Sequence, residues 1–147
     1  MPDIFGSAVH RRSPLHAFAL ILMMLLSAYV SADDTIPKLV YLIVDKEKLI
    51  AANIEFNRFD TIKLFGQETI VKTKVANAVI VVITNQRILG YSIYTPGWRT
   101  IDIGANESVE SVTAEDYSAL VVTSQRILSF NGRNGVWAQK SRQDIFH

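Results

Sequence analysis

The chain has no cysteine and only three histidines among its 147 residues, and these two shortages remove more chemistry than any other feature of the composition. Without a thiol there is no disulfide, no Cys–His nucleophile and no lipoprotein anchor, which needs a cysteine at its cleavage site. His10 and His16 lie in the N-terminal leader and His147 is the last residue, so the interior past the leader holds no histidine. Ser–His–Asp catalysis and the usual His/Cys zinc sites are thereby excluded. For an enzyme only carboxylate, lysine or tyrosine chemistry remains. There is no glycine-rich phosphate loop and no aspartate-rich calcium loop, so no cofactor and no metal are expected.

Charge of one sign is lacking too. Setting aside the leader residues Arg11, Arg12 and Asp3 leaves thirteen basic and thirteen acidic side chains. That balance offers no positive field for nucleic acid or an anionic membrane. Long apolar runs are scarce, and the one that stands out is Ala17 to Leu26. It follows Arg11-Arg12 and precedes the small residues Val30 and Ala32, the three-part layout of a secretory signal peptide over residues 1–32, cut between Ala32 and Asp33. Even extended to Val30 it is shorter than the roughly 20 residues a membrane-spanning helix needs. The expectation is a secreted or periplasmic protein with no stable membrane anchor after cleavage, its mature part being residues 33–147.

What the mature part does have is a phrase written more than once. "VVITNQRILGYS" from Val81 and "LVVTSQRILSFN" from Leu120 align at an offset of 39 residues, Arg87 falling on Arg126. The same offset carries Arg87 back to Lys48 and sets Phe59, Trp98 and Trp137 in register, along with Glu68 and Glu107, and Asn77 and Asp116. A constant offset through so many positions is an internal repeat. It divides the chain into copies of about 39–77, 78–116 and 117–147.

Each copy opens on a short valine- and isoleucine-rich run: Leu39 to Val44, Ala78 to Ile83, Ala119 to Val122. Such runs are strands buried on both faces. A tight turn and a second strand follow, then a third strand headed by Phe59, Trp98 or Trp137, a break at Gly66 or Gly104, and an alternating fourth strand beginning at Glu68 or Glu107. No helical period of any length occurs past the leader. The chain is therefore expected to be all-β, built from antiparallel four-stranded repeats. The repeat resembles the blade of a β-propeller, with the β-trefoil as the alternative three-fold arrangement. The third copy lacks its fourth strand on this division. Three blades do not close a ring, so a homodimer closing a six-bladed ring is one expected partner arrangement. By the alignment Ile88 and Ile127 should both be core residues. The "T-x-x-R-[IL]" hairpin followed by a "GW" strand and "NESVESV" also resembles the hairpin of bacterial pleckstrin-homology-like domains, which would not repeat it 39 residues on.

Two groups of residues stand out for function. An up-and-down sheet gathers Tyr94, Trp98, Glu115, Asp116, Tyr117, Asn131, Arg133 and Asn134 toward one end. Of these Tyr94, Trp98, Asp116, Arg133 and Asn134, with the repeat-equivalent Trp137, stand out. They are candidate ligand-binding residues, either as part of a protein-binding module or as stacking platforms for a carbohydrate; the other reading of the tryptophans is packing between sheets. Lys48, Arg87 and Arg126 emerge at the opposite end as a candidate anion or partner contact, unless each is held by a carboxylate. No catalytic residue is singled out. The leading expectation is an exported, non-enzymatic binding or scaffold module, followed by a lectin-like carbohydrate binder and a small carboxylate-dependent hydrolase.

Overall fold

In a computed structural model of the chain, residues 37–145 are described, and the expected signal peptide lies outside them. Eleven strands follow one another, with a short 3-10 turn at Gln143–Ile145 after the last. The chain is all-β. Strands β1 (Val40–Asp45), β2 (Lys48–Asn53) and β3 (Arg58–Lys63) form the first sheet. The second holds β4 (Ile70–Val75), β5 (Val79–Thr84), β6 (Arg87–Ser92) and β7 (Thr95–Asp102), and the third holds β8 (Val109–Glu115), β9 (Ser118–Thr123), β10 (Arg126–Asn131) and β11 (Val136–Ser141). Every neighbouring pair is antiparallel, so each sheet is a meander.

The sheets begin one strand earlier than the sequence copies. The strand that closes each copy, β4 or β8, pairs with the strand that opens the next copy, β5 or β9. The reason is local. Only three residues separate β4 from β5 and two separate β8 from β9, lengths suited to a hairpin, whereas the longer stretches 64–69 and 103–108 carry the chain from one sheet to the next. The third sheet therefore has four strands, and the first is the one with three among the described residues.

The repeat is legible down to single hydrogen bonds. The amides of Leu64, Ile103 and Arg142 donate to the carbonyls of Glu47, Gln86 and Gln125, each 39 residues after the last. Those of Ile54, Ile93 and Gly132 donate likewise to Leu39, Ala78 and Tyr117.

Packing is face to face. Val40, Leu49 and Ala51 of the first sheet meet Ile80, Val82, Leu89, Tyr91 and Trp98 of the second. Val79, Val81, Ile83 and Ile88, on the other side of the second sheet, meet Val112, Ala119, Val121, Leu128 and Phe130 of the third. Hence every residue of β5 and β6 is buried, as a doubly covered sheet requires. Strands β1 and β9 are as apolar in sequence but are not buried on both faces, β9 alternating and β1 buried only at Val40 and partly at Leu42, because a second neighbour covers neither among the described residues. Separate meanders stacked on their faces are propeller-like blades; a trefoil would join its strands into one barrel. Ile127 falls on the uncovered face of the third sheet and is only partly buried, so the core position expected from the alignment is realised at Ile88 and not there.

Candidate functional site

The two ends of the sheets are chemically different. At the end holding the β5–β6 and β9–β10 turns, a repeated three-residue brace ties neighbouring sheets together. Arg87 donates from Nε to Glu68 Oε1 at 2.9 Å and from Nη2 to Glu68 Oε2 at 3.0 Å, and reaches the Lys63 carbonyl of the first sheet at 2.8 Å. Thr84 donates its hydroxyl to Glu68 at 2.8 Å. The Arg87 guanidinium also stands 3.8 Å from the Phe65 ring centroid. One repeat later, Arg126 donates to both oxygens of Glu107 at 2.8 and 3.0 Å and to the Asp102 carbonyl at 2.7 Å, and Thr123 donates to Glu107 at 2.6 Å. Burial alone would raise both glutamates. The arginine, threonine and backbone N–H donors outweigh it, lowering Glu68 and bringing Glu107 to about 2.

The brace explains why "T-x-Q-R" recurs: Thr and Arg bind a glutamate that precedes them by 16 and 19 residues. It also places the three cations. Arg87 and Arg126 are held by carboxylates inside the fold, while Lys48 is exposed, with Asp45 where the other sheets have threonine. The two tryptophans lie between sheets. The Trp98 indole N–H donates to the Asp60 carbonyl of the first sheet at 3.1 Å, and the Trp137 indole to the Arg99 carbonyl of the second at 3.4 Å, an equivalent bond one repeat on.

The opposite end carries an aromatic row that crosses all three sheets. Phe56, from the β2–β3 turn, meets Tyr94 of the β6–β7 turn edge-on with ring centroids 6.3 Å apart. Tyr94 meets Tyr117 of the β8–β9 turn at 6.0 Å. An arginine closes each end: Arg58 stands 5.6 Å from the Phe56 centroid and Arg133 stands 5.6 Å from that of Tyr117. Phe56 is 50% exposed and Tyr94 42%, large for aromatic side chains in a folded domain. Desolvation, with Tyr117 adding to it, raises the Tyr94 hydroxyl above its ordinary range.

The row is fixed from below. Asn53 accepts from the Phe56 amide at 3.1 Å and donates to the Tyr91 hydroxyl at 3.1 Å, and Tyr91 donates to Asp60 at 2.6 Å. Arg58 binds the same Asp60 oxygen at 2.8 Å and the Ile93 carbonyl at 2.9 Å. Burial would raise Asp60, but the Tyr91 and Arg58 bonds lower it.

Of the residues expected to gather here, Tyr94 and Arg133 join the row. Asp116 is beside it, accepting from Asn77 at 2.8 Å across two sheets, with its backbone at a φ of 41° in the turn. Asn134 is exposed in the β10–β11 turn, where its side chain accepts from the Val136 amide at 3.1 Å. Tyr117, also expected at this end, joins it too, whereas Phe56 and Arg58 were missed in the sequence. Aromatics two or three positions after the strand ends at Asn53, Ser92 and Glu115 were the available signal.

No family model matches the chain, and no curated relative matches. Solved structures that match include the N-terminal domain of Nup159, at 19% identity and a TM-score of 0.40 over 71% of this chain and 28% of that one. Another is a chain of the S. cerevisiae complex of Dbp5 bound to Nup159, Gle1, IP6 and ADP, at 8% identity and a TM-score of 0.39, covering 71% of this chain and 31% of that one. The chain thus spans less than a third of the length of these two structures, and at these scores nothing about its chemistry rests on them. Its own sheets define it as a propeller-like repeat protein.

Proposed function

We propose that this chain is an exported, non-enzymatic protein-binding module that recognises its partner through the row Arg58–Phe56–Tyr94–Tyr117–Arg133. The observation carrying this reading is the row itself: two exposed aromatics, Phe56 and Tyr94, and the half-buried Tyr117, capped by arginines, drawn from three sheets and anchored by a buried hydrogen-bond network. Aromatic and arginine side chains are enriched where proteins meet, and anchoring keeps their entropic cost of binding low. The ring geometry favours a protein over a sugar. A sugar stacks on an open ring face, whereas arginines lie over Phe56 and Tyr117, and Phe56 meets Tyr94 edge-on. The non-enzymatic part is supported by Glu68, Glu107 and Asp60, whose carboxylates are engaged by Arg, Thr and Tyr partners of the fold itself. Export is supported by the leader layout of residues 1–32.

A photo-cross-linking amino acid placed at Tyr94 or Phe56 in the native host tests the reading. The expected result is a discrete polypeptide adduct at both positions and none at exposed Val71 on β4, on a chain recovered outside the cytoplasm and beginning at Asp33. No adduct at either position would overturn the binding row. Glycan binding lost in Tyr94→Ala would replace it with the carbohydrate reading, and a chain retaining Met1 would overturn export.

A further inference from the structure

The two sheet-to-sheet contacts inside the chain are copies of one another, and each has a giving and a receiving face. The second sheet presents the cross-strand row Ile80–Tyr91–Trp98 to the first, and Leu42–Ala51–Asp60 receives it. The third sheet presents Ala119–Phe130–Trp137 to the second, where Val81–Gly90–Arg99 receives it. In both, an aromatic from the last strand of one sheet crosses to a small residue in the central part of the other. In both, its indole N–H reaches the carbonyl of the residue beside that small one, Asp60 or Arg99.

Each half of this contact occurs once more, open. On the uncovered face of the first sheet the giving row is Tyr41–Ala52–Phe59, with Phe59 in the place of the tryptophans and 70% exposed. On the uncovered face of the third sheet the receiving row is Leu120–Ser129–Ala138, with Ser129 in the place of Gly90 and exposed. Leu120 is 43% exposed and Tyr41 47%. The sizes match across the set. Gly90 has no room for a Cβ beneath Trp137 and Phe130, whereas the larger Ser129 would face the smaller Phe59 and Ala52. The charged end also matches. Arg87 and Arg126 each reach back to a carbonyl at the end of the preceding sheet, Lys63 and Asp102; the same offset sets exposed Lys48 opposite the Ser141 carbonyl.

We propose that the open face of the first sheet in one chain docks on the open face of the third sheet in a second copy, Phe59 lying over Ser129. A head-to-tail contact of this kind must either close or run on without limit. Two chains of three sheets each give six, inside the range of about four to eight in which propellers close. Closure makes two identical contacts and leaves no uncovered apolar sheet face. The proposal stands apart from the aromatic row, since the residues it tests lie on strands and none belongs to that row.

Light scattering on the full chain as purified, over a range of about 1 to 100 µM, tests it, since a dimer is a concentration-dependent state. Twice the chain mass is expected for the parent and for a Val71→Lys control. Phe59→Lys and Ser129→Lys are each expected to fall to the single-chain mass with unchanged circular dichroism, because both positions are exposed. Mixing these two variants should restore a two-chain species, since the intact Phe59 of one meets the intact Ser129 of the other. The absence of cysteine allows a second measurement: Phe59→Cys mixed with Ser129→Cys should be joined by a short bis-maleimide, and Phe59→Cys alone should not. A parent of single-chain mass throughout, or a dimer untouched by Ser129→Lys, would overturn the proposal. So would cross-linking of Phe59→Cys to itself.

Discussion

The indole of Trp137 sits on Gly90: a Cβ built there would stand 2.9 Å from Cζ2 and 3.0 Å from Nε1, with the Phe130 ring equally close at 3.0 Å. Both neighbours are rigid rings, so neither can give way cheaply. Glycine in a strand ordinarily costs about 0.5–1 kcal/mol relative to alanine, so by backbone preference alone alanine would stabilise. Here overpacking should win, at about 1–3 kcal/mol. Gly90→Ala is therefore expected to melt below the parent, and adding Trp137→Phe should recover part of the loss. A Gly90→Ala chain that melts above the parent would show that the rings move aside.

Ile88 and Ile127 are equivalent in sequence and different in the fold. Ile88 is fully buried between the second and third sheets, whereas Ile127 lies on the open face of the third. Ile88→Asp buries an unpaired carboxylate and should cost more than about 3 kcal/mol. Ile127→Asp, in solution dilute enough to separate chains, should cost less than about 1 kcal/mol. Urea midpoints of the two variants check the contrast, and equal losses would mean that the third sheet is covered within the chain.

Acid should loosen the brace between sheets. Glu107 is held at about 2 against an ordinary 4.5, and Glu68 and Asp60 are lowered as well. A carboxylate lowered by folding stabilises fully above its unfolded value, and that contribution disappears as pH falls from about 4.5 through about 2. Glu107 alone should account for on the order of 3 kcal/mol of this loss. Glu107→Gln should be less stable than the parent at neutral pH and flatter below pH 4.5, as urea midpoints along a pH series would show. A parent as stable at pH 3 as at neutral pH would rule out the brace as a source of stability.

The all-β class, the period of 39 and most of the turns were open to reading in the amino-acid order, because each is a local property; Pro96-Gly97, which looks like a turn, lies instead within β7 beside a register shift. Strand alternation, β-branched runs and turn residues act through nearest neighbours, and a repeat is visible wherever the same local problem is solved twice. The grouping of strands into sheets was not local in this sense. Whether β4 belongs with β3 or with β5 depends on which connection is short enough to be a hairpin, and the apolar runs look alike in either case.

Only the stacking of the sheets decided what the conspicuous side chains do. Arg87 and Arg126 face Glu68 and Glu107 across a sheet boundary, and the tryptophans fill the gap between sheets instead of lining the loops. Phe56, Tyr94 and Tyr117 come from turns of three different sheets, with no common spacing that would link them along the chain. The 39-residue alignment treats Ile88 and Ile127, or Trp98 and Phe59, as the same residue. They differ because burial belongs to a residue's neighbours in space: among the described residues the middle sheet has a neighbour on each face, and the outer two have one each.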